Sequence, residues 1–333
     1  MRLDLQKRGC VVTVWSDVIG EPTIRDFEHA RASALAAKAD AVVGLGGGSA
    51  MDLAKLVAAF LNSQQPLHEA FGVGKLRGRA TPLVCLPTTS GTGSEVSPIA
   101  ILLDEADELK KGVVSEHLVP DAAFVDPLLT ISMPPAVTAA TGMDALTHCI
   151  ESYANKTAHP LVDTWALDGI RLISRYLARA VEHGNDLEAR TAMSQASLYG
   201  GLCLGPVNTA AVHALAYPLG GEFHVAHGVS NAVLLPHVLE FNLPAAPARY
   251  ADIALAMGLP PIDDVLDMAR SGVAEVAALA VRCSVPMRLS DFGITAAAID
   301  RMAKAAMTVT RLLDRNVRQV TEQDARDIYQ KAL

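Results

Sequence analysis

The chain has 333 residues and a net charge of −8, with 50% hydrophobic and 19% charged residues. This length predicts two domains with a core each, and the composition is that of a globular protein and excludes a disordered one. The acidic net charge argues against a nucleic-acid-binding protein, which usually carries a basic excess. The five cysteines include no Cys-x-x-Cys pair, so we expect reduced thiols.

The sequence argues against both export from the cell and insertion into a membrane. The opening "MRLDLQKRGC" is too charged for a signal peptide. No apolar run approaches the length of a membrane span. We therefore expect a cytoplasmic protein with no membrane partner.

The first third of the chain alternates between predicted strands and predicted helices. Strands are expected from "VVTVWS" (11–16), "DAVVGLG" (40–46), "PLVCLP" (82–87), "PIAILLD" (98–104) and "DAAFVD" (121–126), and helices from 23–38 and 50–62. Such alternation indicates a parallel sheet with helical crossovers.

The pattern changes near "ISMPPAV" (131–137), beyond which strand signals almost vanish. Amphipathic periodicity predicts helices near 138–155, 160–182, 187–203, 207–219, 229–242, 262–283, 295–313 and 321–332. We therefore predict an α/β domain over 1–132 and an all-α domain over 133–333.

Two small-residue loops follow predicted strands. The run "GLGGGSAMDLAK" (44–55) joins a strand to a helix, so glycines and a helix N-terminus, with the hydroxyl of Ser49, meet where a phosphate could bind. A tight turn is the alternative, although three consecutive glycines exceed what a turn needs. The spacing is neither the G-x-G-x-x-G fingerprint nor a Walker loop. The second loop, "PTTSGTGSEVS" (87–97), is rich in hydroxyl groups, and two such loops at strand ends favour a ligand crevice.

The histidines raise the question of a metal. Asp144 and His148 stand four positions apart in the predicted helix "MDALTHCIESY" (143–153). That spacing suits either a local pair that stabilises the helix or half of a metal site. His213, in an apolar helical run, would most often be a core residue if it stood alone. Together with His227 these residues offer one carboxylate and three imidazoles, a set that suits divalent iron or zinc.

Four separated segments carry a family resemblance. They are "GGGSAMDLAK", "PTTSGTGSEVSPIA", "DPLLTISMPPAVTAATGMDALTHCIESY" and "VHALAYPLGGEFHVAHGVSNAVLLPHVLEFN". In this order they resemble the iron-containing (group III) alcohol dehydrogenase family, over the chain from about residue 10 onward. The resemblance implies a dehydroquinate-synthase-like architecture, in which an α/β NAD(P)-binding domain and a helical domain enclose a metal in the cleft between them.

The resemblance also implies roles for individual residues. The implied metal ligands are Asp144, His148, His213 and His227. The implied cofactor-binding residues are Gly46, Gly47, Gly48, Ser49, Thr88, Thr89, Ser97 and Lys110, with Lys111 as the neighbouring alternative to the lysine. The implied activity is hydride transfer between a small alcohol and NAD or NADP, with Fe²⁺ or, as an alternative, Zn²⁺ acting on the alcohol oxygen. A homodimer is implied as well.

The chain departs from the family pattern in two places. Tyr217 stands where many members have a second histidine, and we expect it to line the catalytic cleft without relaying the proton. Family members usually begin with an earlier strand, so the sheet is expected to lack its first strand and to expose unpaired edges. We expect either a misassigned start of a longer protein or a truncated paralogue, and the choice between NAD and NADP cannot be read.

Three other functions stay open at this point. A maleylacetate-reductase-like enzyme of the same superfamily works without metal, but all four ligands are retained here. A dehydroquinate-synthase-like lyase would need several basic residues for an acidic substrate, and the motifs are mostly apolar. The third alternative is an inactive remnant of such an enzyme. Net turnover of NAD(P)H would distinguish a dehydrogenase from the lyase and from the remnant.

Overall fold

A computed structural model describes residues 1–107 and 109–333. The strands are β1 (Val42–Gly46), β2 (Gly72–Val73), β3 (Leu83–Pro87), β4 (Ile99–Asp104), β5 (Leu109–Val114) and β6 (Ala122–Ala123). The first α-helices are α1 (Arg2–Lys7), α2 (Ile24–Ala36), α3 (Gly48–Phe60), α4 (Leu67–Ala70), α5 (Pro135–Tyr153), α6 (Pro160–Glu182) and α7 (Leu187–Leu204). They are followed by α8 (Ala211–Phe223), α9 (His227–Asn242), α10 (Pro247–Ala256), α11 (Val265–Arg282), α12 (Ile299–Ala306), α13 (Thr310–Leu313) and α14 (Glu322–Ala332). Short 3-10 helices lie at 116–118, 127–130, 243–245, 289–292 and 296–298.

The N-terminal part contains two small sheets. In the first, of order β1-β3-β6, all strands are parallel, and the register pairs Gly46 with Pro87. The loops that follow β1 and β3 therefore leave the same edge of the sheet side by side. In the second sheet, of order β2-β5-β4, β2 is parallel to β5 but β4 and β5 are antiparallel.

The first sheet ends at β1, because no other strand pairs with its outer side in the described residues. Val43 and Leu45 of β1 are 43% and 44% exposed. Exposed apolar side chains on this edge strand leave that side of the sheet open to pairing with another strand.

Helix α3 is the element that links the sheets to the glycine-rich segment, residues 46–49. Its residues from Met51 to Phe60 are buried almost throughout, with Asp52 as the one partly buried position. Leu56 and Phe60 pack with Phe27 of α2 and Leu102 of β4 in one core cluster. Because α3 is held on several sides, its N-terminus has a fixed place at the edge of the first sheet.

A separate and larger core lies in the helical part. It runs from α5 to α14 and includes Leu146, Ile170, Leu215, Val233 and Tyr329, all of which are fully buried. Helix α5 packs against α6, α7 and α9, and is buried along most of its length. Polar groups on α5 are thus placed inside the protein. None of the helices in the described residues has the length and apolarity needed to cross a membrane.

Most predicted elements are confirmed, and the α/β and all-α classes hold. The helix predicted over 23–38 begins after Thr23, whose side chain forms a capping box with Asp26. Four of the five cysteines are buried and all are free, as expected. The predicted helix over 295–313 is instead a 3-10 turn followed by two short helices, and α10 was not predicted.

Two strand predictions are wrong. Residues 11–16 form no strand: Val11 and Val14 are 96% and 60% exposed, and no partner strand satisfies their backbone. The stretch 121–126 is a strand only at Ala122–Ala123. Strand β5 was not predicted, because its sequence "LKKGVV" places charged and flexible residues in the first half. Its antiparallel pairing with β4 also makes the α/β part less uniformly parallel than predicted.

Candidate metal and cofactor site

Helix α5 supplies two of the predicted metal ligands. Prolines at its start and alanine-rich turns favour the helix, and the i, i+4 spacing puts Asp144 and His148 on one face. That face is turned inward, since the two residues are 2% and 4% exposed. Gly200 of α7 lies against them; an added Cβ there would be 3.2 Å from His148 Cβ.

The other two ligands lie at the beginnings of α8 and α9. His213 is the third residue of α8 and is 4% exposed, whereas His227 opens α9 and is partly exposed. Gly228 is the residue that lets α9 approach α5, because a Cβ at that position would lie 2.2 Å from the carbonyl oxygen of Ala140. A side chain there would push His227 away from Asp144.

The four side chains converge on one point. Asp144 Oδ1 lies 3.9 Å from His148 Nε2, 3.7 Å from His213 Nε2 and 3.6 Å from His227 Nε2. One ligand atom from each residue lies within 4.8 Å of all the others. A tetrahedral ion with bonds of about 2.1 Å would separate its ligand atoms by about 3.4 Å. The arrangement therefore fits a divalent cation after a small contraction.

Hydrogen bonds orient the imidazole rings toward that point. His148 Nδ1 lies 3.2 Å from the Gly91 carbonyl oxygen, an acceptor, so Nδ1 carries the hydrogen. His213 Nδ1 lies 2.6 Å from Glu151 Oε2. In both rings this leaves the Nε2 lone pair for a metal. The Asn231 amide donates to Asp144 Oδ1 at 2.7 Å and contacts His213 Nε2 at 3.1 Å, while its Oδ1 has no protein partner in the described residues.

The charges at the site favour a cation at its centre. Burial opposes ionisation of Asp144, but the surrounding histidines outweigh it, so the pKa of this carboxyl lies well below its usual range. For His213, burial is outweighed by the bonds to Asp144 and Glu151, which raise its pKa to about 9. Burial lowers the pKa of His227 to about 4, with the Lys110 ammonium acting in the same direction. The cluster thus keeps a carboxylate and neutral His227 available as ligands.

The glycine-rich loop, residues 46–49, forms the start of α3. Gly46 has a φ of 153°, in the region that favours glycine. No side chain of the described residues caps the α3 N-terminus, where Gly47 is the N-cap. A Cβ at Gly48 would lie 2.7 Å from Thr92. The loop is therefore open to an anion at the helix N-terminus and closely packed against the next loop.

The hydroxyl-rich loop, residues 88–97, lies beside the glycine-rich loop. The Thr88 backbone N–H donates to Gly46 O at 2.9 Å, and a Cβ at Gly47 would lie 3.3 Å from Thr89. Ser97 is placed differently from the expectation that it lines the cofactor pocket. It is 2% exposed, and its carbonyl and hydroxyl oxygens accept from the buried Lys55 ammonium at 2.9 and 3.2 Å.

Lys110 of β5 lies against α8, the helix that carries Tyr217. Lys110 is 3% exposed and forms a 2.9 Å ion pair with Glu21; an added Cβ at Gly220 would lie 2.7 Å from its ammonium nitrogen. Lys111 points elsewhere and pairs with acidic residues of the β4–β5 region. The Tyr217 hydroxyl accepts from Arg311 at 2.7 Å. The lysine that faces the helical part near His227 is therefore Lys110.

Several residues of the site were missed from the sequence. Glu151 follows Asp144 by seven positions, so the helical period that singled out His148 could have identified it too. Asn231 follows His227 by four positions and could have been found in the same way. Asp52 accepts from Ser94 and from the Ile101 backbone N–H; its position one turn after the glycines was the available signal.

Comparisons with known proteins give a family. Residues 1–127 match the family model described as iron-containing alcohol dehydrogenase, and residues 138–333 match that of the Fe-containing alcohol dehydrogenase family, C-terminal. Long-chain-alcohol dehydrogenase 1 of Geobacillus thermodenitrificans is 42% identical over 332 residues, covering 98% of this chain and 84% of the relative.

Solved structures agree with the sequence comparisons. A crystal structure of 1,3-propanediol oxidoreductase matches with a TM-score of 0.96 at 36% identity, covering 99% of this chain and 86% of the other. Sulfoacetaldehyde reductase from Bifidobacterium kashiwanohense, solved in complex with NAD⁺, matches with a TM-score of 0.88 at 29% identity, covering 99% and 86%. The chain belongs to the iron-containing alcohol dehydrogenase family and is an alcohol dehydrogenase.

Proposed function

We propose that the chain interconverts a small alcohol and its aldehyde or ketone with NAD(H) or NADP(H), using one divalent ion at Asp144, His148, His213 and His227. The observation that carries this proposal is the set of distances of 3.6 to 3.9 Å between Asp144 Oδ1 and the three Nε2 atoms. The donor set suits Fe²⁺, our first choice, or Zn²⁺. Such an ion supplies Lewis-acid polarisation of the alcohol or carbonyl oxygen.

The protein's own contribution starts with the cofactor. The uncapped N-terminus of α3 and the backbone of Gly46, Gly47 and Gly48 offer N–H donors to a pyrophosphate, and Ser49 adds a hydroxyl. Thr88 and Thr89 border the same crevice. Since this loop contacts the loop that bears Gly91, and Gly91 contacts His148, a cofactor held here extends toward the metal ligands. Positioning of hydride donor and acceptor is the main contribution of such a site.

Lys110 and Glu21 form the charged wall of the site next to His227. Lys110 is nearly inaccessible while Glu21 is one-third exposed, so the carboxylate is the part of the pair that a substrate or cofactor can reach. We infer that Lys110 contributes to cofactor binding through Glu21, whose carboxylate it holds in place from its position beside Gly220. Small primary alcohols are the substrates we propose; 1,3-propanediol oxidoreductase is named for such a substrate, whereas the Geobacillus relative is named for long-chain alcohols.

The decisive test is His227→Ala. Removing one of four ligands should reduce bound metal from about one ion per chain to a trace and abolish NAD(P)H turnover with a panel of alcohols and aldehydes. His237→Ala, on the same helix α9 but outside the cluster, is the matched control and should keep both. Full activity of metal-stripped wild-type protein would contradict the proposal and favour the metal-free reductase.

Two further properties complete the proposal. We propose a homodimer in the cytoplasm, on the resemblance to the family. Sedimentation velocity of the purified chain measures the oligomeric state, and localisation of a tagged chain measures the cellular compartment. A monomer at micromolar concentration would contradict the dimer without touching the metal site.

A further inference from the structure

Glu151 is a buried carboxylate of α5 and is not itself one of the four proposed metal ligands. It is 4% exposed and lies on the same helical face as Asp144 and His148. Its Oε2 lies 2.6 Å from His213 Nδ1, and its Oε1 accepts from the Val212 backbone N–H at 2.6 Å. Both of its oxygens are thus used by the first turn of α8.

The bond to His213 decides which ring nitrogen carries the hydrogen. A carboxylate is an acceptor, so it holds an N–H at Nδ1 and leaves the lone pair at Nε2. The Asn231 amide, a donor, faces that Nε2 at 3.1 Å, which agrees with the same tautomer. His148 is oriented by the main-chain oxygen of Gly91, so His213 is the ligand whose orientation can be tested by changing a side chain.

We propose that Glu151 is a positioning residue that fixes the tautomer and ring orientation of His213, so that Nε2 faces the metal. The inference rests on the proposed metal function of the four ligands. It assigns a role to a third residue on the face of α5 that carries Asp144 and His148. Second-layer carboxylates of this kind change metal affinity by about 10- to 100-fold when they are removed.

A purely structural role is the competing explanation. Helix α8 has no side-chain cap at Ala210, and a carboxylate that accepts from Val212 N–H satisfies a free donor and stabilises the positive helix end. A capping role predicts that loss of Glu151 lowers the stability of the metal-free protein. It does not predict a change in His213 tautomer or in the ligand field of a bound ion.

Glu151→Gln separates the two explanations. The glutamine keeps the shape and one oxygen, which can still accept from Val212. Its amide NH₂ then faces His213 Nδ1, which must give up its hydrogen to accept, so the hydrogen moves to Nε2 and blocks metal binding. We expect Zn²⁺ affinity, from chelator competition, to fall by about 10- to 100-fold. The visible spectrum of the Co²⁺-loaded protein should change, and ¹⁵N NMR of the metal-free variant, at a pH above about 9 where the His213 ring is neutral, should show its single hydrogen at Nε2.

The matched control is Asp186→Asn. Asp186 caps α7 by accepting from Ala189 N–H and also binds Arg179, so this variant removes a capping charge far from the metal. It should lower the melting temperature while Zn²⁺ affinity and the Co²⁺ spectrum stay at wild-type values. Glu151→Asp, which keeps the charge but is one methylene shorter, should recover part of the lost affinity.

The outcomes distinguish this inference from the proposed function. If wild-type protein binds no divalent ion, the metal function itself fails. If wild type binds Zn²⁺ and Glu151→Gln binds it within twofold, with an unchanged Co²⁺ spectrum, only the role of Glu151 is overturned. Should the variant fail to fold, the wild-type protein still decides: ¹⁵N NMR of the metal-free form, at a pH above the His213 pKa of about 9 where its ring is neutral, must show the hydrogen at Nδ1, and a neutral ring with its hydrogen at Nε2 would overturn the inference.

Discussion

Tyr217 shows how one side chain can share a helix face with a ligand and still serve another purpose. It follows His213 by one helical turn, but its hydroxyl is engaged by the Arg311 guanidinium at 2.7 Å. A hydroxyl that accepts from a cation is poorly placed to relay a proton. We predict that Tyr217→Phe keeps most of kcat and leaves its pH profile unchanged, while stability falls by about 1–3 kcal/mol because Arg311 loses an acceptor.

Tyr176→Phe is the matched control for this variant. Its hydroxyl donates to Glu188 on the outside of the helical part, so it loses a bond to a charged group away from the cleft. Steady-state kinetics over a range of pH and chemical denaturation measure both variants. A loss of kcat beyond about a hundredfold in Tyr217→Phe alone would show that Tyr217 takes part in proton transfer.

A second residue-scale prediction concerns pH and Asp121. The Arg79 guanidinium and the Leu83 backbone N–H lower the pKa of Asp121 to about 2, below the ordinary value near 3.9. Because the fold favours the ionised form, its stabilisation is present above about pH 4 and is lost as the pH falls toward 2. Asp121→Asn should therefore be less stable than wild type at pH 7, and the difference should shrink between pH 4 and 2.

The size of this effect is limited by solvent, because Asp121 is more than half exposed. We expect about 0.5–1 kcal/mol at pH 7, measured by urea denaturation. Asp168→Asn, which removes a carboxylate from an exposed pair with Arg171, controls for the change in net charge. A difference between wild type and Asp121→Asn that is constant from pH 7 to pH 2 would contradict the account.

At the scale of elements, the N-terminus of α3 is the proposed binding site for the pyrophosphate of the cofactor. Gly47 is its N-cap, and a Cβ there would lie 3.3 Å from Thr89. The branched side chain in Gly47→Val would obstruct the approach of a pyrophosphate to the backbone. Bonds to a charged group contribute about 1.5–3 kcal/mol each, so we predict that the dissociation constant for NAD(P)H rises by about tenfold or more, with unchanged metal content.

Gly78→Val is the control for Gly47→Val, since a Cβ at Gly78 meets no atom within 4 Å. Both variants add the same side chain to a glycine, but only one lies at the proposed phosphate site. Fluorescence titration with NADH and NADPH measures the affinity. Equal affinity in Gly47→Val and wild type would mean that the glycine-rich loop is only a turn.

The elements also show what the sequence can and cannot predict. Periodicity predicted α6 and α11 well, because each repeats an apolar face over four turns or more. The run 11–16 has the composition of a strand. A strand also requires a partner, and the sequence of the run does not show whether one lies beside it. The opposite error concerns β5. Lys110 and Lys111 are untypical of a strand, so the sequence does not predict one, but pairing with β4 stabilises it.

The same distinction holds for the site. The four proposed ligands could be singled out because Asp144 and His148 follow the helical period and because the surrounding motifs resemble a family. Ser97 could not be placed, since its contact is with Lys55, forty-two positions earlier. The helical period could have placed Glu151 and Asn231 on the same faces as the proposed ligands, but their hydrogen bonds depend on α8 and α9 approaching α5, which is a tertiary fact.

At the scale of the whole molecule, a continuous set of contacts joins the cofactor loops to the metal ligands. Gly48 packs against Thr92, and Gly91, in the same hydroxyl-rich loop, accepts the hydrogen of His148 Nδ1. Gly93 of this loop packs so closely on α7 that a Cβ there would lie 2.2 Å from Gly201. A ligand that orders this loop should therefore also order a metal ligand, and the effect must be reciprocal.

We predict that a cofactor fragment and a metal ion bind cooperatively, even where the two do not touch. ADP-ribose carries the pyrophosphate but lacks the nicotinamide, so it cannot reach the ion. Saturating ADP-ribose should raise Zn²⁺ affinity by about fivefold or more, the lower end of typical coupling, and Zn²⁺ should raise ADP-ribose affinity by the same factor. Calorimetric titrations of each ligand, with and without the other, measure the cycle.

Ser94→Ala tests whether the hydroxyl-rich loop carries this coupling. Ser94 Oγ donates to Asp52 Oδ1 at 2.5 Å and so ties the loop to α3, without contacting any metal ligand. Its loss should reduce the coupling factor toward one while each ligand still binds, because the loop no longer holds one position against both α3 and His148. Thr191→Ala, which removes a hydroxyl bonded only within α7, should keep the full factor. Zn²⁺ affinity that is the same within twofold with and without ADP-ribose in the wild type would contradict the linkage and leave the two sites as independent neighbours.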